Sequence, residues 1–243
     1  MSIDRLRYEI HLMGRKVILT PVLVMLGFAL FAVLLAYIKV WPDRFLSAGV
    51  EMMLPITTAV VVATIVVQDP ILELLLTTPR QYAALSLLRI GLIVAWTACV
   101  ALLSELILTS VGLGYMTRLA GQTPVLQFLI AQLTWLAPLL WCIGIGLCLA
   151  LLLHSRTASG ALLGGIWILE TIYKDFFYLT TWLRPVFLFP TTLWALNISL
   201  PWTQFMPWLD NRFEVLGTGL LALLLCWLLL RQPERLLKGS SEE

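Results

Sequence analysis

The sequence predicts an all-α integral membrane protein with six transmembrane helices. Three observations carry that prediction. Sixty per cent of the 243 residues are hydrophobic and 12% are charged, against about 25% charged in soluble domains. Six apolar runs, at 17–40, 50–68, 85–112, 127–153, 157–173 and 213–230, are long enough to cross a hydrocarbon layer about 30 Å thick. Between the runs lie caps, prolines and charges. The β-branched stretch Ile56–Val67 is read as helix, because an isolated strand in lipid leaves its backbone polar groups unpaired.

Each element follows from local chemistry. Residues 1–16 place Ile3, Leu6, Ile10 and Met13 along one side of a helix, with Arg5, Arg7, Glu9 and Arg15 around the rest. That pattern suits a cytoplasmic amphipathic helix lying at the membrane surface. The membrane domain runs over 17–238. Its first apolar run is long and has no small-residue cleavage site, so it is read as a retained span and not a signal peptide. The second span carries Pro55.

A short rod then spans 69–78. Asp69 can cap its first N–H groups and Pro70 suits the first helical position. Pro79 disfavours helical geometry at Thr78 and ends it. Asp69, Glu73 and Thr77 recur at i, i+4 and i+8 and form one polar stripe. Ten residues at about 1.5 Å each give roughly 15 Å, half a membrane, so the rod is expected to touch something outside the lipid.

The fourth span contains Pro138 and Gly144-Ile-Gly146, which predict a kink. The fifth holds Gly160 and Gly164, a small-residue face for close helix packing. The segment 174–212 contains Pro185, Pro190, Pro201 and Pro207 among ten aromatic residues. Proline at that density excludes a single spanning helix. Short broken helices dipping into the outer interface fit both the prolines and the rings. The tail 239–243 is expected to be disordered.

Net charge is only +2, which argues against a nucleic-acid partner. Cys99, Cys142, Cys148 and Cys226 all fall inside apolar runs without CxxC spacing and are read as buried thiols. His11 and His154 stand alone at membrane boundaries, so no metal site is expected. With six spans, both termini share a side. Of the 16 Lys and Arg, ten fall on that side and six on the other, so both termini are placed in the cytoplasm of a multi-pass protein of the cell (plasma or inner) membrane.

There is no GxxxxGK[ST] and no GxGxxG after a strand, so any nucleotide must be bound by another chain. No serine–histidine–acid set suggests a catalytic residue. Three acids lie in or at the edge of spans: Glu51, Glu105 and Glu170. Intramembrane charge usually faces a cavity or a partner. The functional reading makes these acids a polar pathway lining or a proton site. The structural reading makes them ion pairs near the interface, with Glu170 and Lys174 placed i, i+4.

The combination resembles the membrane subunit of ABC-2 type transporters over essentially the whole chain. The most specific part is the run Leu72, Glu73, Leu75, Leu76, Thr78 and Pro79. The resemblance implies that 69–78 is a coupling helix, with Asp69, Glu73, Leu75, Leu76, Thr77, Thr78 and Arg80 docking on a separate ABC ATPase subunit. It implies that ATP and Mg are bound on that partner, with no cofactor on this chain. It further implies a second membrane subunit (a second copy or a paralogue), outward transport, and extracellular helices at 174–212. The chain itself is then a non-catalytic permease subunit. The aromatic outer region favours an amphiphilic substrate. The competing readings are a polytopic membrane enzyme or a stand-alone secondary transporter, either of them using Glu105 and Glu170.

Overall fold

The computed structural model describes residues 3–67, 79–110, 123–153, 155–193 and 202–231. Every regular element among them is helical. Five stretches are long and apolar enough to cross a membrane: Gly14–Tyr37, Asp43–Val66, Ala83–Ser110, Val125–Leu153 and Phe205–Leu230. The fifth predicted run forms a shorter apolar helix, Thr157–Ile172. The architecture is that of an all-α membrane protein.

Helix α1 (Ile3–Tyr37) is two helices joined at Gly14, whose φ of 75° and ψ of 166° leave the helical region. A positive φ is readily reached only without a Cβ, so glycine sets the corner where the predicted interface segment meets the first span. The second span is α2 (Asp43–Ala48), a π-helical turn (Gly49–Met53) and α3 (Leu54–Val67). It starts at Asp43, earlier than the apolar run suggested. Polar residues in its first turns are buried by the fold, which hydropathy does not register. Helix α4 (Pro79–Ser110) forms the third span.

The fourth span divides into α5 (Pro124–Ala131) and α6 (Leu133–Leu153) at Gln132. The backbone is thus interrupted before Pro138, which sits inside α6. Helix α7 (Arg156–Ile172) is N-capped by Ser155, whose Oγ accepts the Ala158 N–H at 3.2 Å. A broken segment follows: α8 (Lys174–Leu179), a 3₁₀ turn (Thr181–Val186) and α9 (Pro190–Leu193). Helix α10 (Trp202–Leu230) closes the described chain.

Helix α10 corrects one boundary. Residues 202–212 were assigned to the broken outer segment, yet they are the first turns of the last long helix, with Pro207 inside it. Proline removes one backbone donor, and membrane helices tolerate that when neighbouring groups satisfy what it frees.

Helices α3, α6 and α10 form the centre, while α1 turns Leu19, Leu23, Leu26, Leu30 and Leu34 outward. Helices α6 and α10 run parallel and in register. Thr134 meets Arg212, and Cys148 meets Cys226, each pair 78 residues apart. The approach is closest at Gly144 and Gly219. A Cβ on Gly144 would lie 2.7 Å from the Gly219 carbonyl oxygen, and one on Gly219 would lie 2.7 Å from the Trp141 nitrogen. Association in lipid depends on packing, not on a hydrophobic drive between helices, and small residues permit it. The predicted Gly160 and Gly164 face differs: Gly160 meets Val60 Cγ2 at an ordinary 3.5 Å, and nothing in this chain lies within 4 Å of a Cβ at Gly164.

Candidate functional site

The broken segment before the last helix ends in a buried strap, Phe187–Leu193. Phe187, Leu188, Phe189, Thr191, Thr192 and Leu193 are all buried, yet Phe187–Phe189 lie outside regular helix and α9 is a single turn whose first N–H groups have no helical partner. Unsatisfied N–H and C=O groups inside a membrane protein are costly, so each needs a partner. Those partners are charged and amide side chains from the surrounding helices.

Acids take the strap's N–H groups. Glu51, in the π-helical turn of the second span, accepts the Thr191 N–H at Oε1 (3.1 Å) and the Thr192 N–H at Oε2 (2.6 Å). Glu170, near the end of α7, accepts the Leu188 N–H at Oε2 (2.8 Å). One of its partners is therefore the strap. Donors take the strap's carbonyls. Arg212 Nη1 donates to the Leu188 oxygen at 3.0 Å. Asn211 Nδ2 donates to the Phe187 oxygen at 3.1 Å and to the Arg184 oxygen at 2.7 Å. Arg44 Nε donates to the Thr192 oxygen at 3.1 Å.

One ion pair locks the two sets together. Arg212 Nη2 lies 2.6 Å from Glu51 Oε1, and both side chains are fully buried. Arg212 Nη1 also reaches the Thr134 carbonyl oxygen at 3.4 Å. That oxygen is free because Pro138, four residues on, has no N–H to give it. The predicted helix-kinking proline thus opens an acceptor for the arginine. The Arg212 guanidinium lies 5.6 Å from the Trp208 ring centroid, and Trp208 Nε1 donates to Thr191 Oγ1 at 3.1 Å.

The π-helical turn places Glu51. The Leu54 N–H reaches back to the Gly49 carbonyl, five residues before, a wider turn that recurs at functional positions. The cluster keeps hydrogen-bonding capacity in reserve: Glu170 Oε1, Arg212 Nε, Thr134 Oγ1, Thr192 Oγ1 and Asn211 Oδ1 are buried without a partner among the described residues. Chemically this is a clamp. It fixes an irregular backbone segment to the second, fourth and last spans and to α7 through opposite charges.

Glu105 stands apart. It is buried on α4, and Gln132 Nε2 approaches its Oε2 at 3.4 Å. Gln132 Oε1 in turn accepts the Trp135 indole N–H at 2.8 Å. The interruption between α5 and α6 therefore carries a polar chain across to the third span. The structure does not join Glu105 to Glu51 and Glu170, which meet through the strap and Arg212. Asp69, Glu73, Leu75, Leu76, Thr77 and Thr78 lie outside the described residues. Arg80 lies in the first turn of α4, and its side chain is outside them too.

Sequence reasoning passed over Arg212, Asn211, Arg44, Thr191 and Thr192. A signal for Arg212 existed. Phe205, Trp208, Arg212 and Val215 recur at three- and four-residue spacing and are buried together. Two acids at one end of the spans also call for a cation at the same depth. No family model, curated protein or solved structure matches this chain.

Proposed function

We propose that the chain is the membrane subunit of an ATP-driven transporter of the ABC-2 type, working as an exporter in the cell membrane with both termini cytoplasmic. It pairs with a second membrane subunit, a copy or a paralogue, and with a separate ABC ATPase that binds ATP and Mg. ATP binding on that partner pushes the rod at 69–78 and rocks the spans, and an amphiphilic substrate crosses between the two membrane subunits. What supports the reading is the order of elements: a surface-type segment cornered at Gly14, a sequence pattern at 69–78 too short to span, which lies outside the described residues, and a broken segment over 174–193 that precedes the last helix in the chain. In this reading the Glu51–Arg212–Glu170 clamp makes the strap ride with the spans, so a push on one side is felt at the outer end.

The test uses the full chain in its own membranes. Purification is expected to bring down an ATPase subunit bearing a nucleotide-binding loop. Glu73→Arg and Leu75→Asp are expected to abolish stimulation of that ATPase while the spans stay folded. Full transport and full stimulation in both variants would refute the docking role. So would labelling of a Glu73→Cys variant by an impermeant maleimide from outside intact cells.

A further inference from the structure

The sulfur atoms of Cys148 on α6 and Cys226 on α10 lie 2.8 Å apart. Each thiol also lies against a carbonyl of the opposite helix. Cys148 Sγ is 3.3 Å from the Ala222 oxygen, and Cys226 Sγ is 3.2 Å from the Gly144 oxygen. The arrangement is reciprocal, since each carbonyl belongs to the residue four before the other cysteine. Two thiol protons serve three contacts, so the sulfurs face each other without a full set of hydrogen bonds. The glycine-tight approach one turn earlier on α6, at Gly144, and two turns earlier on α10, at Gly219, brings the helices close enough for this. Both cysteines stand about one turn from the ends of their helices, at Leu153 and Leu230. Cys148 is only partly buried and Cys226 is buried, so an oxidant reaches the first before the second.

We propose that Cys148 and Cys226 are a modification site: a dithiol that peroxide converts into a disulfide stapling the fourth span to the last. The Cys148 sulfur attacks one oxygen of hydrogen peroxide. The O–O bond breaks, and Cys148 becomes a sulfenic acid with release of one water. The Cys226 sulfur then attacks the sulfenic sulfur. The S–S bond forms, the S–O bond breaks, and the hydroxyl leaves as a second water with the Cys226 proton. Two thiols lose two electrons and peroxide gains them. A cellular thiol restores the pair by exchange. The staple joins helices already in register, and the two sulfurs close from 2.8 Å to the length of an S–S bond, about 2.05 Å.

The experiment treats the full chain in native membranes with hydrogen peroxide. Remaining thiols are then alkylated under denaturing conditions and the peptides are read by mass spectrometry. The expected result is a fall from four alkylated cysteines to two, Cys99 and Cys142, with one linked peptide pair containing 148 and 226. Dithiothreitol is expected to return the count to four. Cys99 is exposed on the outer surface of α4 and Cys142 is buried in α6, so the two act as internal controls for access. A Cys148→Ser variant should leave Cys226 alkylatable. Peroxide is raised stepwise, and two outcomes overturn the proposal: Cys148 and Cys226 both still alkylated at the dose that first oxidises the exposed Cys99, or Cys148 driven to sulfinic acid with no linked peptide.

Discussion

Replacing Arg212 by methionine tests the clamp directly. The substitution deletes the 2.6 Å pair with Glu51 and the donations to the Leu188 and Thr134 oxygens. It leaves a fully buried carboxylate held, among the described residues, by the Thr191 and Thr192 N–H groups. Breaking a buried ion pair by removing one partner costs about 3–5 kcal/mol. For a chain of this length, 1 kcal/mol moves the melting temperature by about 2–4 °C, so the variant should melt roughly 10 °C below the parent. A thiol-reactive dye in detergent reports the transition, because Cys142 and Cys226 are buried until the helices part. Lys39→Met is the control: Lys39 is exposed and its loss should shift the melt by less than about 0.5 kcal/mol's worth. Glu51→Gln alone should also destabilise. The double variant should lose less than the sum of the two, because the residues share one interaction. If Arg212→Met melts with the parent, the strap is held by packing alone and the clamp is wrong.

Two further substitutions probe the packing and the second polar chain. Gly144→Ala places a Cβ 2.7 Å from the Gly219 carbonyl oxygen, a backbone atom. The helices must separate, and a loss of about 1–3 kcal/mol is expected, while Gly164→Ala meets nothing in the chain and should be neutral or gain up to about 1 kcal/mol. Equal melting of the two variants would contradict the close α6–α10 approach. Gln132→Leu removes the acceptor of the Trp135 indole and the donor facing Glu105. It should cost about 1–3 kcal/mol by the same melt, and an unchanged melt would show that this chain of contacts adds nothing.

What the sequence made legible follows from what lipid demands. A spanning helix needs about 20 apolar residues, so the long runs announced themselves. The broken character of residues 174–193 was legible for a similar reason, since proline restricts the backbone wherever it stands, whereas the corner at Gly14 went unread because the apolar pattern of 1–16 runs straight through it. The cluster was harder to see. Glu51 and Glu170 stood out as costly charges, but their partner was counted among loop cations because the apolar run begins at Phe213, one residue after Arg212. Hydropathy averages over neighbours and hides a charge satisfied by tertiary contact. Pro138 was legible only in part. It signals a lost hydrogen bond, and nothing local tells whether the helix bends or a distant side chain takes the freed carbonyl. The Gly160 and Gly164 spacing and the Gly144–Gly219 contact show the same limit: one glycine pair is visible within a single helix, and the other exists only once two helices are in register.

The clamp also differs from most buried ion pairs. Where two charges mainly satisfy each other, apolar residues of similar volume can replace both without loss. Here the charges satisfy backbone. Glu51 and Glu170 together accept three strap N–H groups, and Arg212, Asn211 and Arg44 donate to strap and helix carbonyls. Swapping the Glu51–Arg212 pair for Leu and Met would remove the charges and leave those backbone groups facing hydrocarbon, each at a cost of about 1–3 kcal/mol. The strap can exist inside the bundle only while side chains of both signs reach it. A movement of the second span against the last that separates Glu51 from Arg212 pulls the Thr191 and Thr192 N–H groups away from the Leu188 carbonyl's donor, and a movement that keeps the pair together leaves both ends of the strap held.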